Sequence, residues 1–172
     1  PDDYTKDGEV ETRIGSRMSV LDIVLWPDAV LSTQCVPVDA ITPELEQLIA
    51  DMFDTMYAAQ GRGLAAPQVG RTERIFVFDA NWKSGVPSPV VCVNPEILSV
   101  SEQRVEGEEA CLSIPGVPMK IYRASEVTLR WTDARGMYTE SFSGAEAVIV
   151  QHENDHLDGI VIYDRQAQGG VQ

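Results

Sequence analysis

The chain is 172 residues long, enough for one domain with a proper core, and its 44% apolar share is ordinary for a globular protein. With 13 Lys and Arg against 27 Asp and Glu the net charge is −14. Such a surface aids solubility, repels phosphate backbones and argues against direct nucleic-acid binding. No apolar run approaches the roughly 20 residues of a membrane span, and no signal-peptide core is present, so a soluble cytoplasmic protein with no membrane partner is expected.

Cys35, Cys92 and Cys111 form an odd, widely spaced set that suits a reducing compartment better than a disulfide framework. Residues 1–17 are polar and aperiodic, and the apolar pattern begins just after Met18. They read as an added leader or a disordered extension, with 18–172 as the folded domain.

The first clear element is a helix within 42–61. Thr42 suits the N-cap and Pro43 the first turn, while Glu44 and Glu46 favour the positive helix end. Leu45, Leu48, Ile49, Met52, Met56 and Tyr57 recur at helical spacing as a core stripe, and Gly61 is read as the stop. A Gly-rich loop over 61–70 follows, with Gln68 as its polar side chain in an apolar run. Residues 74–80 and 90–98 are rich in β-branched and aromatic side chains and read as strands. Residues 126–133 and 137–144 form a hairpin joined by 134–136. A second helix starts at Ser143, which makes a capping-box pattern with Glu146, and ends at Gly159. Strands and two helices without regular βαβ alternation imply an α+β fold with antiparallel sheet.

The second helix carries the only two histidines. His152 and His156 stand at i and i+4, on one face a turn apart, where two imidazoles chelate a divalent ion. Ala145, Val148 and Ile149 precede them on the same face, so the pair projects from an apolar stripe. Glu153 completes His-Glu-x-x-His, an arrangement in which the carboxylate serves as general base toward water instead of ligating. Catalytic sites of this kind use three protein ligands. Downstream, Asp158 and Asp164 are the available acids, and Asp158 points elsewhere on the helix; the third ligand is therefore sought upstream. Cys111, in an irregular segment between Gly107 and Pro115, and Cys92, within a strand, both remain open, since a thiolate suits Zn²⁺ or Fe²⁺. In the 61–70 loop the glycines permit close approach of a ligand, and the Gln68 amide is suited to an oxyanion.

Three segments, GRGLAAPQ (61–68), EACLS (109–113) and QHENDH (151–156), occur in this order and resemble the signature motifs of peptide deformylases, G-x-G-L-A-A-x-Q, E-G-C-L-S and Q-H-E-x-D-H. The likeness runs from about 24–31 to 162–166. It implies mostly antiparallel sheets surrounding a central His-Glu-x-x-His helix in a single domain. It also implies Cys111, His152 and His156 as metal ligands, Glu153 as acid/base, and Gln68 with the backbone N–H of Leu112 as the oxyanion site. The activity implied is removal of the N-formyl group from the initiator methionine of nascent chains, releasing formate. The implied metal is Fe²⁺, with Zn²⁺, Ni²⁺ or Co²⁺ as substitutes. Gly61, Gly63 and the segment around Ile114 would pair with an extended peptide, with Val148 and Ile149 as a wall for the methionine side chain.

The chain departs from the family pattern in places. Ala110 stands where the motif has glycine, and 116–119 lack the substrate-facing arginine many members carry. Ala145 and Glu146 stand where leucines are common, and no long C-terminal helix of the kind some members use at the ribosome is legible. A metal-dependent amidase on another formylated or acylated amine is the alternative these changes suggest. Intact Glu153 and Gln68 argue against a non-catalytic relative, and the short tail after His156 against a zinc endopeptidase.

Overall fold

The computed structural model describes residues 19–169, so the stretch 1–17 lies outside the described residues. Helix α1 (Pro43–Ala58) starts as its sequence dictates: the Thr42 side chain accepts a hydrogen bond from the Leu45 N–H at 3.2 Å, with Glu44 and Glu46 in the first turn. Its end differs from expectation. The left-handed residue is Gln60, at φ 59°, and the Gly61 N–H closes back on the Met56 carbonyl. Gly61 is thereby released from capping and becomes part of a cavity wall.

The strands that follow are β1 (Gly63–Ala65), β2 (Ile75–Phe78), β3 (Val90–Val100), β4 (Arg104–Cys111), β5 (Ile114–Ala124), β6 (Glu126–Asp133) and β7 (Gly136–Ser143). Then come helices α2 (Gly144–Leu157) and α3 (Ile162–Gly169). Five strands pair antiparallel in the order β1-β2-β3-β6-β7, and β4 and β5 form a separate two-stranded antiparallel sheet. The fold is α+β, as expected. The β4–β5 hairpin was not: residues 107–115, read as irregular, are mostly strand, with a register shift between Glu109 and Cys111. The β6–β7 turn is tight, with the Asp133 carboxylate accepting from the N–H groups of Arg135 and Gly136.

Strand β2 shows how the layers are built. Its side chains alternate across the sheet. Ile75 and Val77 pack with Leu45, Leu48, Met52 and Met56 of α1, while Phe76 and Phe78 pack with Ala147, Val150 and Leu157 of α2. All four are buried, each stabilising by roughly 1.5–3 kcal/mol relative to exposure. A third cluster seats β5 through Met119 and Ile121 against Val161 and Ile162. Helix α2 thus runs through the interior between the two sheets. Its residues 149–157 are all buried, and the amphipathic face expected for it is replaced by burial almost all round. Ala145 is exposed and so lies outside that interior. The expected Ser143–Glu146 capping box does not form, because the Ser143 side chain makes no cap hydrogen bond. At the other end Gly159 adopts φ 75°, and a Cβ there would stand 2.7 Å from the Ser32 carbonyl oxygen. The helix stops where glycine alone fits.

Candidate active site

The carboxyl half of α2 delivers His152, Glu153 and His156 into the interior, and the end of β4 delivers Cys111. Sγ of Cys111 and one ring nitrogen from each histidine lie within 4.8 Å of one another, all three residues buried. Cys111 Sγ is 3.5 Å from His156 Nε2. One soft thiolate and two imidazoles, converging with no fourth donor grouped with them among the described residues, fit a catalytic Zn²⁺ or Fe²⁺ with a position left for water or substrate. Of the two cysteines left open by the sequence, the structure brings Cys111 to the histidines; Cys92 packs in the α2-side core and Cys35 with it. Burial pushes the Cys35 thiol up to about 11 and the Cys92 thiol well above its ordinary range.

The ring of His152 is held from behind. Its Nδ1 lies 2.9 Å from Glu109 Oε1, which fixes Nδ1–H as the donor and turns Nε2 toward the ligand cluster. Glu109 is itself gripped by Arg123, through Nε at 2.8 Å and Nη2 at 2.9 Å. Arg123 also reaches Asp155 on α2 at 2.6 Å, and Asp155 receives Arg165 of α3. Burial works against charge on Glu109, yet its bonds to His152 and Arg123 outweigh it and hold the carboxyl down to about 2. Gln151 adds a strand-like clamp, accepting from the Ala124 N–H and donating to the Ala124 carbonyl. None of these partners was assigned a role from sequence. The available signal was their place inside the motifs: Glu109, Gln151 and Asp155 are motif residues that the direct chemistry leaves unused.

Glu153 is pushed up to about 7, chiefly by burial, which suits a group that takes and returns protons near neutrality. Its Oε1 is buried without a hydrogen-bond partner. Gly63 makes room for it: a Cβ at that position would stand 2.5 Å from Glu153 Oε2. Gly61 similarly faces Leu112, with only 2.7 Å between an added Cβ and Leu112 Cδ1. Gln68 is held by accepting from the Ala65 N–H at 3.0 Å, while its Nε2 donates to Ser113 Oγ at 3.2 Å and toward Cys111 Sγ at 3.6 Å.

These groups open onto a cavity of about 430 Å³ lined by Gly61, Gly63, Gln68, Cys111, Leu112, Val148, Ile149, His152 and Glu153. The segment around Ile114 borders the cavity through Pro115 and Gly116, while the Ile114 side chain itself packs in the core with Met119 and Ile121. Ala110 lines it too, so its methyl stands where the family pattern has none.

A buried Cys/His/His cluster with an adjacent carboxylate, at the centre of an α+β fold, defines a metal-dependent hydrolase. The comparisons narrow this further. Residues 20–170 match the family model for polypeptide deformylase. The peptide deformylase of Chlorobaculum parvum is 42% identical over 154 residues, covering 85% of this chain and 79% of that protein. That of Hydrogenovibrio crunogenus is 44% identical over 149 residues, covering 86% of each. Among solved structures, the Thermotoga maritima peptide deformylase superposes with a TM-score of 0.80 at 38% identity, covering 85% of this chain and 97% of that one. The chain belongs to the polypeptide deformylase family and is a hydrolase.

Proposed function

We propose that this cavity is where the chain removes the N-formyl group from the N-terminal methionine of nascent polypeptides, releasing formate. The observation carrying the proposal is that Glu153 and Gln68 face the same cavity as the three converging metal donors. In this reading Cys111, His152 and His156 hold one divalent ion, Fe²⁺ in the native protein, with Zn²⁺, Ni²⁺ or Co²⁺ accepted. When bound, the ion supplies Lewis-acid polarisation and brings the acidity of water toward neutrality. Glu153 takes a proton from the attacking water and later passes it to the amine nitrogen as the carbon–nitrogen bond breaks. Gln68 Nε2 and the Leu112 N–H donate to the formyl oxygen as negative charge develops, a stabilisation of ~3 kcal/mol. Water plus formamide gives formate plus free amine, so no other reactant is needed.

The substrate backbone adds as an extended strand along residues 61–63 and the segment around Ile114, with Val148 and Ile149 against the methionine side chain. Residues 18–172 act as one catalytic domain. The described residues contain no helix long and apolar enough to cross a membrane. The substrate arises at the ribosome, so the work is done in the cytoplasm, in transient proximity to emerging chains.

The test is formate release from a short formyl-methionyl peptide by protein purified without oxygen, with metal measured in the same sample. Activity tracking iron content and decaying in air is the expected result, because thiolates and ferrous iron oxidise. Full activity in an air-stable zinc form would reject Fe²⁺ as the native ion, and no formate from any formyl peptide would reject the assignment.

A further inference from the structure

The cavity mouth carries charge that the reaction does not use. Two of its lining residues are cations, Arg62 at the entry to β1 and Lys83 in the short turn Trp82–Ser84. In a chain of net charge −14, neither has an ion-pair partner among the described residues, a state shared with Arg104 and Arg135; what sets Arg62 and Lys83 apart is that both line the cavity.

Their placement is built. The Trp82 indole N–H donates to the Gly61 carbonyl at 2.9 Å, tying the turn to the residue beside Arg62. Tyr57 packs edge-on against Trp82 and donates its hydroxyl to Asp79 at 2.6 Å, and the Asp79 carboxylate also accepts from the Ser88 N–H, fixing both ends of the rim segment. Lys83 Nζ lies 5.7 Å from the centre of the Trp82 ring. The acids lining the same cavity are Glu153 and Glu109 in its interior and Glu108 on the β4 side. Glu109 is neutralised by Arg123, so the β1 side of the mouth is cationic and the β4 side anionic.

Resting on the deformylase reading above, we propose that Arg62 and Lys83 recognise a carboxylate on the substrate a few residues beyond the formyl-methionine, so that the enzyme favours nascent chains with an early acidic residue. An extended peptide leaving the cavity passes the rim, where its side chains stand alternately to either side. An acidic one gains both cations and avoids Glu108. Exposed ion pairs are individually weak and screened by salt, so the effect is a preference, not a requirement.

The experiment uses the full, metal-loaded chain and formate release from formyl-Met-Ala-Ser-Ala amide. Aspartate is placed in turn at positions two, three and four, and the unsubstituted peptide is also used with a free carboxyl terminus. The expected result at low salt is a KM about three- to tenfold lower for one aspartate position, with kcat unchanged. That gain disappears in about 0.5 M salt and in R62Q/K83Q, shrinks in each single variant, and grows in E108Q. A gain from the free terminus alone assigns the site to a terminal carboxylate. Equal KM values across the series, or a preference that survives in R62Q/K83Q, would overturn the proposal. Absence of turnover on every peptide would overturn the deformylase reading and this inference together.

Discussion

Replacing Gly63 with alanine tests whether the second glycine of the first motif, just before Leu64, exists to make room for the catalytic carboxylate. Its φ lies outside the left-handed region, so the backbone accepts alanine, and the conflict is purely with Glu153. The new Cβ would stand 2.5 Å from Oε2, 2.9 Å from Cδ and 3.0 Å from Cγ of that side chain. Ordinary contact distance is roughly 3.5 Å, so the carboxylate must retreat by about 1 Å. Glu153 is buried on a helix packed on all sides and cannot swing into solvent. A displacement of that size costs roughly 100-fold in turnover, whereas overpacking costs about 1–3 kcal/mol of stability. The assay is kcat at saturating formyl peptide, with metal content and thermal midpoint on the same sample. Gly61→Ala is the internal comparison: its clash is with the tip of the flexible Leu112 side chain, and only a few-fold loss is expected. A Gly63→Ala enzyme with full metal and kcat within about threefold of the parent would refute the reasoning.

Glu109 couples the site to acid stability. Its carboxyl is held down to about 2 in the fold against 4.5 ordinarily, so its stabilisation is complete above about pH 4.5 and is lost as pH falls toward 2. The full difference is on the order of 3 kcal/mol. Denaturation midpoints measured between pH 7 and pH 3 should fall less steeply in Glu109→Gln than in the parent; parallel curves would remove Glu109 from the acid transition. The same variant should weaken metal binding by about 10- to 100-fold through loss of the His152 partner, read by competition with a chromogenic chelator. Thiol chemistry gives a third check. After metal removal, iodoacetamide should modify Cys111, which lines the cavity, well before Cys35 or Cys92, whose burial raises their thiols. Peptide mapping that found Cys35 or Cys92 modified first in the native chain would contradict that order.

The elements written most plainly in the sequence are those whose signals are local. Thr42 and the spacing of Leu45, Leu48, Met52 and Met56 specify α1, and the β6–β7 hairpin lies within a residue of its expected bounds. His152, Glu153 and His156 declare themselves by spacing on one helix. The β4–β5 hairpin was illegible because 104–108 are exposed throughout and rich in glutamate, so no alternation betrays a strand. Cys111 therefore looked like part of a loop, although it is buried at a strand end. The Arg123 network is hidden for a related reason. A charged side chain reads as surface, and only the fold reveals that Arg123 is buried between Glu109 and Asp155. Gln60, not Gly61, turns the chain after α1, because the glycine is needed where Leu112 approaches.

The central claim is that Glu153 moves the proton in a site whose metal is held by Cys111, His152 and His156. Glu153→Ala measures it most directly, with formate release and bound metal determined on one preparation. The account predicts a folded protein that retains its full complement of metal and loses formate release by several orders of magnitude. Robust turnover by that metal-replete variant would contradict it.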